Sequence, residues 1–204
     1  MKTLFTLRHI LALITFLVLS GSVQAQMDAG LLGKRYAGLG FFSEDVRSSN
    51  IDNGDGVELY ANVPVCNSLD AGLKTSYEKF SAYKLSDRRI SGFAIGYVDM
   101  DWIKPFAEAS VTSTAQSSTV RDIKYKNNET LWAVGIGLEI PVARSTAVTC
   151  SATRNEYFNS DFDTYWTYKV GVSTWFTPKF GGSAAVSIWD GESTTYSLGL
   201  NVRF

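Results

Sequence analysis

Five residues early in the chain have the types needed to bind a cation. Asp52-Asn53-Gly54-Asp55-Gly56 places carboxylate and amide oxygens at the spacing found at the start of a calcium-binding loop. The remainder of such a loop, with its distant bidentate glutamate, is missing, and Asn-Gly and Asp-Gly are ordinary turn formers before a strand. The pattern therefore favours a turn over a metal site, and neither a metal nor another cofactor is expected.

The chain also has few residues suited to nucleophilic catalysis. The only histidine, His9, lies in an N-terminal segment that we expect to be removed. Without it the chain lacks the base that activates the nucleophile in serine hydrolases. Carboxylate-only chemistry remains possible, but no acid pair is marked by more than its residue type. The protein is therefore predicted not to be an enzyme, and no catalytic residue is assigned.

A third group of charged residues shares one property: each lies on the polar face of a segment whose opposite face is apolar. These candidate ion pairs are Glu58, Lys74, Glu78, Lys104, Glu108, Glu139, Lys169 and Arg203. Acids and bases are present in equal number, which favours a structural ion-pair network in an enclosed interior. The alternative is a narrow polar channel gated by those pairs. Lys104 and Glu139 are expected to lie on adjacent strands near one rim, and Glu58 with Lys74 or Glu78 to flank the first short turn.

The segments that must position these residues are strands, because apolar residues recur at every second position. Residues 130–142 alternate most clearly, with Trp132, Val134, Ile136, Leu138, Ile140 and Val142 on one face. Ten such segments are predicted, with eight as the alternative count. Their ranges are 34–42, 57–65, 71–83, 90–98, 103–115, 130–142, 147–158, 163–176, 180–189 and 194–204. The outward face of 34–42 and of 147–158 stays open.

The N-terminus predicts export. Lys2 and Arg8 precede an apolar run that ends at Ser20-Gly21, and Val23-Gln24-Ala25 resembles a cleavage site, so residues 1–25 are predicted to be a signal peptide. The remaining chain has 17 basic and 20 acidic residues, a balance too even and mixed to indicate nucleic-acid binding. We expect a short periplasmic lead at 26–33 and one domain at 34–204.

Cys66 and Cys150 would enter an oxidising compartment, which permits a disulfide. They are expected on strands that are not neighbours, so geometry disfavours a bridge without deciding the matter.

The connections between strands alternate in length. The connections 66–70, 99–102, 143–145 and 177–179 are short, whereas 43–56 and 116–128 are long and polar. Short periplasmic turns and longer external loops are typical of an outer-membrane barrel. Aromatic residues are expected to form a girdle at each interface: Trp102, Phe176, Phe180 and Phe204 at the periplasmic end, and Trp132, Tyr157, Trp166 and Trp189 at the other. The predicted fold is an all-β, membrane-spanning, antiparallel up-and-down barrel; a secreted soluble sandwich is the alternative.

Three stretches, ELYANVPVCNSLDAGLKTSY, WIKPFAEASV and SLGLNVRF, resemble the small outer-membrane β-barrel proteins of Gram-negative bacteria. The resemblance implies an outer-membrane location and no particular activity, since members of this family differ in function. It also implies that the alternating C-terminal residues are the signal read by the barrel assembly machinery as well as a lipid-facing strand. Those residues are Tyr196, Leu198, Leu200, Val202 and Phe204.

Two functional classes follow from this fold. In the first, a monomeric barrel surrounded by outer-membrane lipid has a structural role or presents loops 43–56 and 116–128 to an extracellular surface partner. In the second, the barrel is a small porin for ions or small polar solutes. The sequence identifies neither the partner nor the solute.

Deletion of Phe204 should lower the amount of folded barrel in the outer membrane, because the terminal aromatic residue both closes the last strand and completes the assembly signal. The measurement is the heat-modifiable band on a detergent gel of the outer-membrane fraction. Normal yield of the shortened protein would contradict the assignment.

Overall fold

The computed structural model describes residues 29–47, 53–80, 85–100, 102–120, 123–159, 163–190 and 193–204. The predicted signal peptide and Asp52 of the calcium-like stretch lie outside the described residues. Within the described part of the chain, no helix is long and apolar enough to cross a membrane.

Ten antiparallel strands form a closed barrel, as predicted. Each strand pairs with its neighbours in sequence, and β1 pairs with β10 from Tyr36 opposite Arg203 to Val46 opposite Ser193. The strands are β1 Tyr36–Val46, β2 Gly54–Cys66, β3 Leu69–Phe80, β4 Ser86–Tyr97, β5 Lys104–Val120, β6 Ile123–Ala143, β7 Thr146–Tyr157, β8 Tyr165–Trp175, β9 Phe180–Trp189 and β10 Ser193–Arg203. The start of β1, the end of β10 and the short turns share one end, which is therefore the periplasmic end.

The prediction of a long loop at 116–128 is wrong. β5 and β6 continue through this region as a hairpin, with Gln116 opposite Asn127 and Val120 opposite Ile123. Hydropathy does not alternate here because these residues extend past the neighbouring strands, but the Ser- and Thr-rich strand still pairs across the hairpin. The loop expected at 43–56 is shorter as well, since Ser43 pairs with Asp55 and Glu44 with Gly54.

The apolar face of each strand points away from the barrel axis. Ile136 is 70 % exposed on the outside, and Leu138 and Val134 lie on the same face, whereas Glu139 is 1 % exposed inside. The face of β7 that the sequence left open is now assigned by register. Ala152 lies opposite Ile136 and Arg154 opposite Val134, so both point outward.

The expected aromatic girdle is only partly present. Trp102, Phe176, Phe180 and Phe204 are exposed on the outside at the periplasmic end. At the other end, the prediction fails for Trp189 and Tyr157. Trp189 pairs with Thr167 on the inward face of β8, and Tyr157 with Leu131 on the inward face of β6. Alternation in sequence distinguishes the two faces of a strand only when their residues differ in polarity, and large aromatic residues occur on both faces here.

Ile136→Arg should destabilise the folded barrel by about 2–4 kcal/mol, because it places a charge on the lipid-facing surface. The measurement is urea unfolding in lipid vesicles, with Ile136→Ala as the control, which removes apolar contact without adding charge. Gly137→Ser on the inward face would be a poor control, since a Cβ there would lie 2.6 Å from the Cys150 carbonyl oxygen. Equal destabilisation by arginine and alanine would contradict the assigned face.

Candidate functional site

Residues 29–33, which precede β1, fold into the periplasmic mouth of the barrel; we call them the plug segment. Ala29 and Leu32 are buried. The Trp175 indole N–H donates to the Gly30 carbonyl oxygen at 2.8 Å. Leu31 packs against the cluster of Tyr36 and Trp175. The plug segment is thus bound to the inner wall of the barrel by both polar and apolar contacts.

Two buried carboxylates hold the backbone of the plug segment. Glu139 Oε2 on β6 accepts hydrogen bonds from the Leu31 N–H at 2.8 Å and the Leu32 N–H at 3.4 Å. Asp70 Oδ2 on β3 accepts from the Gly33 N–H at 2.8 Å. Hydrogen bonds from neutral N–H groups to a carboxylate are among the stronger ones in proteins, and they offset part of the cost of burying the charge. The two acids therefore recognise the main chain of the plug segment.

The plug segment needs glycine at two positions. Gly30 has φ +85° and Gly33 has φ +76°, a region that other residues rarely adopt. A Cβ on Gly30 would lie 2.1 Å from Glu139 Oε1, and one on Gly33 would lie 2.8 Å from the Tyr97 hydroxyl. Both the backbone conformation and the available space exclude a side chain at these positions.

Lys104 and Glu139 lie opposite one another in the β5–β6 register, as the sequence predicted. However, the Lys104 ammonium contacts Asp99 Oδ2 at 3.1 Å, while the Glu139 carboxylate binds the plug segment. The interpretation of Glu139 as the ion-pair partner of Lys104 is therefore corrected. Sequence reasoning missed Asp70 and the plug glycines; the spacing of Gly30 and Gly33 just before the first strand was the available signal.

The middle of the lumen is polar and not completely filled. Lys74 Nζ lies 2.5 Å from Glu58 Oε2, and their side chains are 44 % and 16 % exposed. The Thr153 hydroxyl donates to Glu108 Oε1 at 2.6 Å. Lys169 lies on the inward face of β8 opposite Ser151, yet its side chain is exposed. Space therefore surrounds the two lysines inside the barrel wall. Glu58 and Lys74 lie in this middle layer, not beside the first periplasmic turn.

A second cluster of charged and aromatic residues lies inside the extracellular end. Arg89 lies 2.7 Å from Asp87 Oδ2 and 3.4 Å from Glu78 Oε2. Its guanidinium lies over the Trp189 ring at 5.4 Å. Trp189 stacks on Tyr165 with 5.5 Å between ring centroids. Sequence reasoning assigned Glu78 to the interior but missed Asp87 and Arg89, although both occupy alternate positions just before the predicted segment 90–98.

Arg203, the last of the charged candidates, lies at the periplasmic end. Its guanidinium is 4.2 Å from the centre of the Trp175 ring, the same tryptophan that binds Gly30. Nearby, the Tyr60 hydroxyl donates to Asn201 Oδ1 at 2.7 Å. The C-terminal strand thus contributes to the packing around the plug segment.

Within the described residues, no three acidic, histidine or cysteine side chains are arranged to hold a metal ion. Cys66 on β2 and Cys150 on β7 are free thiols. The strands that carry them are not neighbours in the barrel, as expected.

Gly30→Ala should displace the plug segment, because the added methyl group meets the Glu139 carboxylate in a backbone conformation that alanine disfavours by about 1–2 kcal/mol. Hydrogen exchange at the amides of residues 31–33 should become faster. Gly92→Ala is the matched control, since its Cβ would meet only Leu73 Cδ2, at 3.8 Å. Unchanged exchange in Gly30→Ala would show that the plug segment is not held as described.

Comparison with known proteins agrees with this architecture. The family described as "Outer membrane protein beta-barrel domain" matches residues 13–204. Among solved structures, the β-domain of the Bordetella autotransporter BrkA has a TM-score of 0.54 and 11 % identity, covering 84 % of this chain and 99 % of that one. The translocator domain of the autotransporter NalP from Neisseria meningitidis has a TM-score of 0.50 and 10 % identity, covering 100 % and 98 %. Neisserial surface protein A has a TM-score of 0.47 and 15 % identity, covering 83 % and 97 %.

No curated protein sequence matches the chain significantly. At these identities the two autotransporter domains support the fold alone. The family match covers most of the chain and agrees with the closed ten-stranded barrel and its apolar outer surface. The chain therefore belongs to the outer-membrane β-barrel protein family, and this membership implies an outer-membrane location.

Proposed function

We propose that this protein is a closed, non-enzymatic outer-membrane barrel whose role is structural or is exercised through its extracellular surface. The observation that carries the proposal is the plug segment, which is bound inside the periplasmic mouth. Asp70 on β3, Glu139 on β6 and Trp175 on β8 bind the plug segment from three different parts of the wall. A pore for continuous diffusion would need an open path at this end.

The extracellular hairpin formed by residues 115–128 supports a surface role. β4 pairs with β5 only as far as Ser117, and β7 pairs with β6 only from Leu131. The hairpin therefore extends past both neighbouring strands. Before Thr130, β6 is paired with β5 on one side, and its other edge has no strand partner among the described residues. Tyr125 is exposed there. An unpaired strand edge can accept an extended segment of another protein.

A surface partner would therefore contact the hairpin together with the connection between β1 and β2, since these strands meet at the same end of the barrel. The rigid barrel would fix the position of both relative to the membrane. The protein would act as a monomer, with the barrel assembly machinery and outer-membrane lipid as its other partners.

A small channel is the second candidate, and one observation favours it. Lys74 and Lys169 point inward and remain exposed, so the middle of the barrel has room for water and small ions. Conduction would require the plug segment to leave the mouth and the cluster around Arg89 to open at the other end. Two closures in series favour the structural proposal.

Wild-type protein in a planar lipid bilayer should conduct poorly, and Glu139→Ala should increase the current. This substitution removes the acceptor of two plug-segment N–H groups, a loss of about 1.5–3 kcal/mol for each hydrogen bond to a charged group. Asp55→Ala, an exposed acid on the outside of β2, is the control and should behave as wild type. Large, steady currents through the wild-type protein would contradict the closed-barrel proposal and favour a porin.

A further inference from the structure

The outer wall of the barrel contains an apolar groove of about 730 Å³. β7 forms its floor, because its outward residues Cys150 and Ala152 are small. Large side chains of the flanking strands form its walls: Ile136 and Leu138 of β6 on one side, and Tyr168 and Val170 of β8 on the other. A barrel surface that only needs to contact fluid lipid does not require such a concavity, whereas an ordered chain of methylene groups would fill it.

An arginine lies at the extracellular end of the groove. Arg154 is two residues beyond Ala152 on the same outward face of β7, a separation of about 7 Å along a strand. Its neighbours across the sheet are Val134 and Trp166, both exposed on the outer face. A charged side chain on this face is tolerated near the membrane interface, where polar headgroups are within reach.

The guanidinium of Arg154 has capacity for such a partner. One terminal nitrogen, Nη2, lies 3.1 Å from Glu156 Oε2, and the side chains are 48 % and 36 % exposed. A guanidinium has five N–H donors in a planar fork that matches two oxygens of a phosphate. The exposed pair therefore leaves donors directed to the surroundings of the barrel, where the headgroups of the outer leaflet lie.

The walls of the groove suit the same ligand. Trp166 and Tyr168 stack with 6.5 Å between ring centroids, on the β8 side and between the level of Arg154 and that of Ala152. Stacked amphipathic rings are common at the boundary between headgroups and acyl chains. A cation, an aromatic wall and an apolar groove follow one another from the rim of the barrel towards its centre, in the order of phosphate, glycerol or sugar backbone and acyl chain in a lipid.

We propose that this surface binds one phosphate-bearing lipid of the outer leaflet, with the phosphate at Arg154 and one acyl chain in the groove over Cys150 and Ala152. The lipid would be an ordered component of the folded barrel. This inference concerns the lipid-facing wall and is independent of whether the lumen conducts.

A second outward-pointing arginine, Arg88, serves as a comparison for Arg154. Arg88 also points outward and is exposed near the extracellular end, on β4, with its guanidinium 5.7 Å from the centre of the Tyr77 ring. The next residue on that face, Ile90, is 65 % exposed and projects from the wall. Arg88 therefore has the charge of Arg154 and also lies near the extracellular end of its strand, but it has a protruding side chain, not a small one, directly below it.

Native mass spectrometry of the protein in detergent micelles can test the proposal with three probes. Dipalmitoyl phosphatidate carries the phosphate and the chains, dipalmitoylglycerol carries the chains alone, and inorganic phosphate carries the charge alone. Phosphatidate should bind as one molecule for each barrel, at least about tenfold more tightly than either other probe, because only it makes both the charge-assisted and the apolar contacts.

Two variants remove one half of the site each. Arg154→Gln removes the cation, and Ala152→Phe fills the groove while keeping Arg154; each should weaken phosphatidate binding about tenfold. Arg88→Gln and Ala94→Phe make the same changes on the outer face of β4 and should bind as wild type. Heat-modifiable gel mobility shows which variants are folded.

Three results would overturn the proposal. Equal binding of phosphatidate and dipalmitoylglycerol would mean that the phosphate is not recognised. Equal effects of Arg154→Gln and Arg88→Gln would mean that Arg154 has no special role. A dimer that Ala152→Phe abolishes would mean that a second copy of the chain occupies the groove.

Discussion

The need to satisfy every backbone N–H and C=O group in the absence of water determines this structure. In a hydrocarbon layer an unpaired strand edge is too costly, so the sheet must close on itself. The pairing of β1 with β10 along their whole length provides that closure. The outward apolar face, the inward polar face and the meeting of the first and last strands at one end all follow from a closed sheet with an even number of strands.

Closure of the sheet satisfies the backbone, but polar side chains inside the barrel are then removed from bulk water and also need hydrogen-bond partners. Asp70 and Glu139 are almost fully buried, and a buried carboxylate is unfavourable unless it has hydrogen-bond donors. The protein supplies these donors from its own main chain in the plug segment. At the other end, Arg89 forms salt bridges with Asp87 and Glu78. The two ends thus hold clusters of different chemistry, and the layer with the exposed lysines lies between them.

Period-two alternation was sufficient to predict all ten strands, because lipid on one side and a polar lumen on the other impose opposite hydropathy on successive residues. It also assigned Glu139 and Glu78 to the interior. It could not identify their partners: Glu139 binds backbone N–H groups, and main-chain donors are the same at every residue. Nor could it extend the β5–β6 hairpin past the membrane, where both faces are polar, or orient Trp189 and Tyr157, whose rings suit either face. The outward position of Arg154 could not be predicted, because the outward residues of β7 are small or charged and give no apolar alternation.

The plug segment also has a consequence for the order of assembly. Its binding groups come from strands far apart in the chain: Asp70 from β3, Glu139 from β6 and Trp175 from β8. No partly built sheet that lacks β8 can present all three groups to residues 29–33. The first described segment of the chain can therefore complete its contacts only after β8 has joined a sheet curved enough to bring these distant strands together.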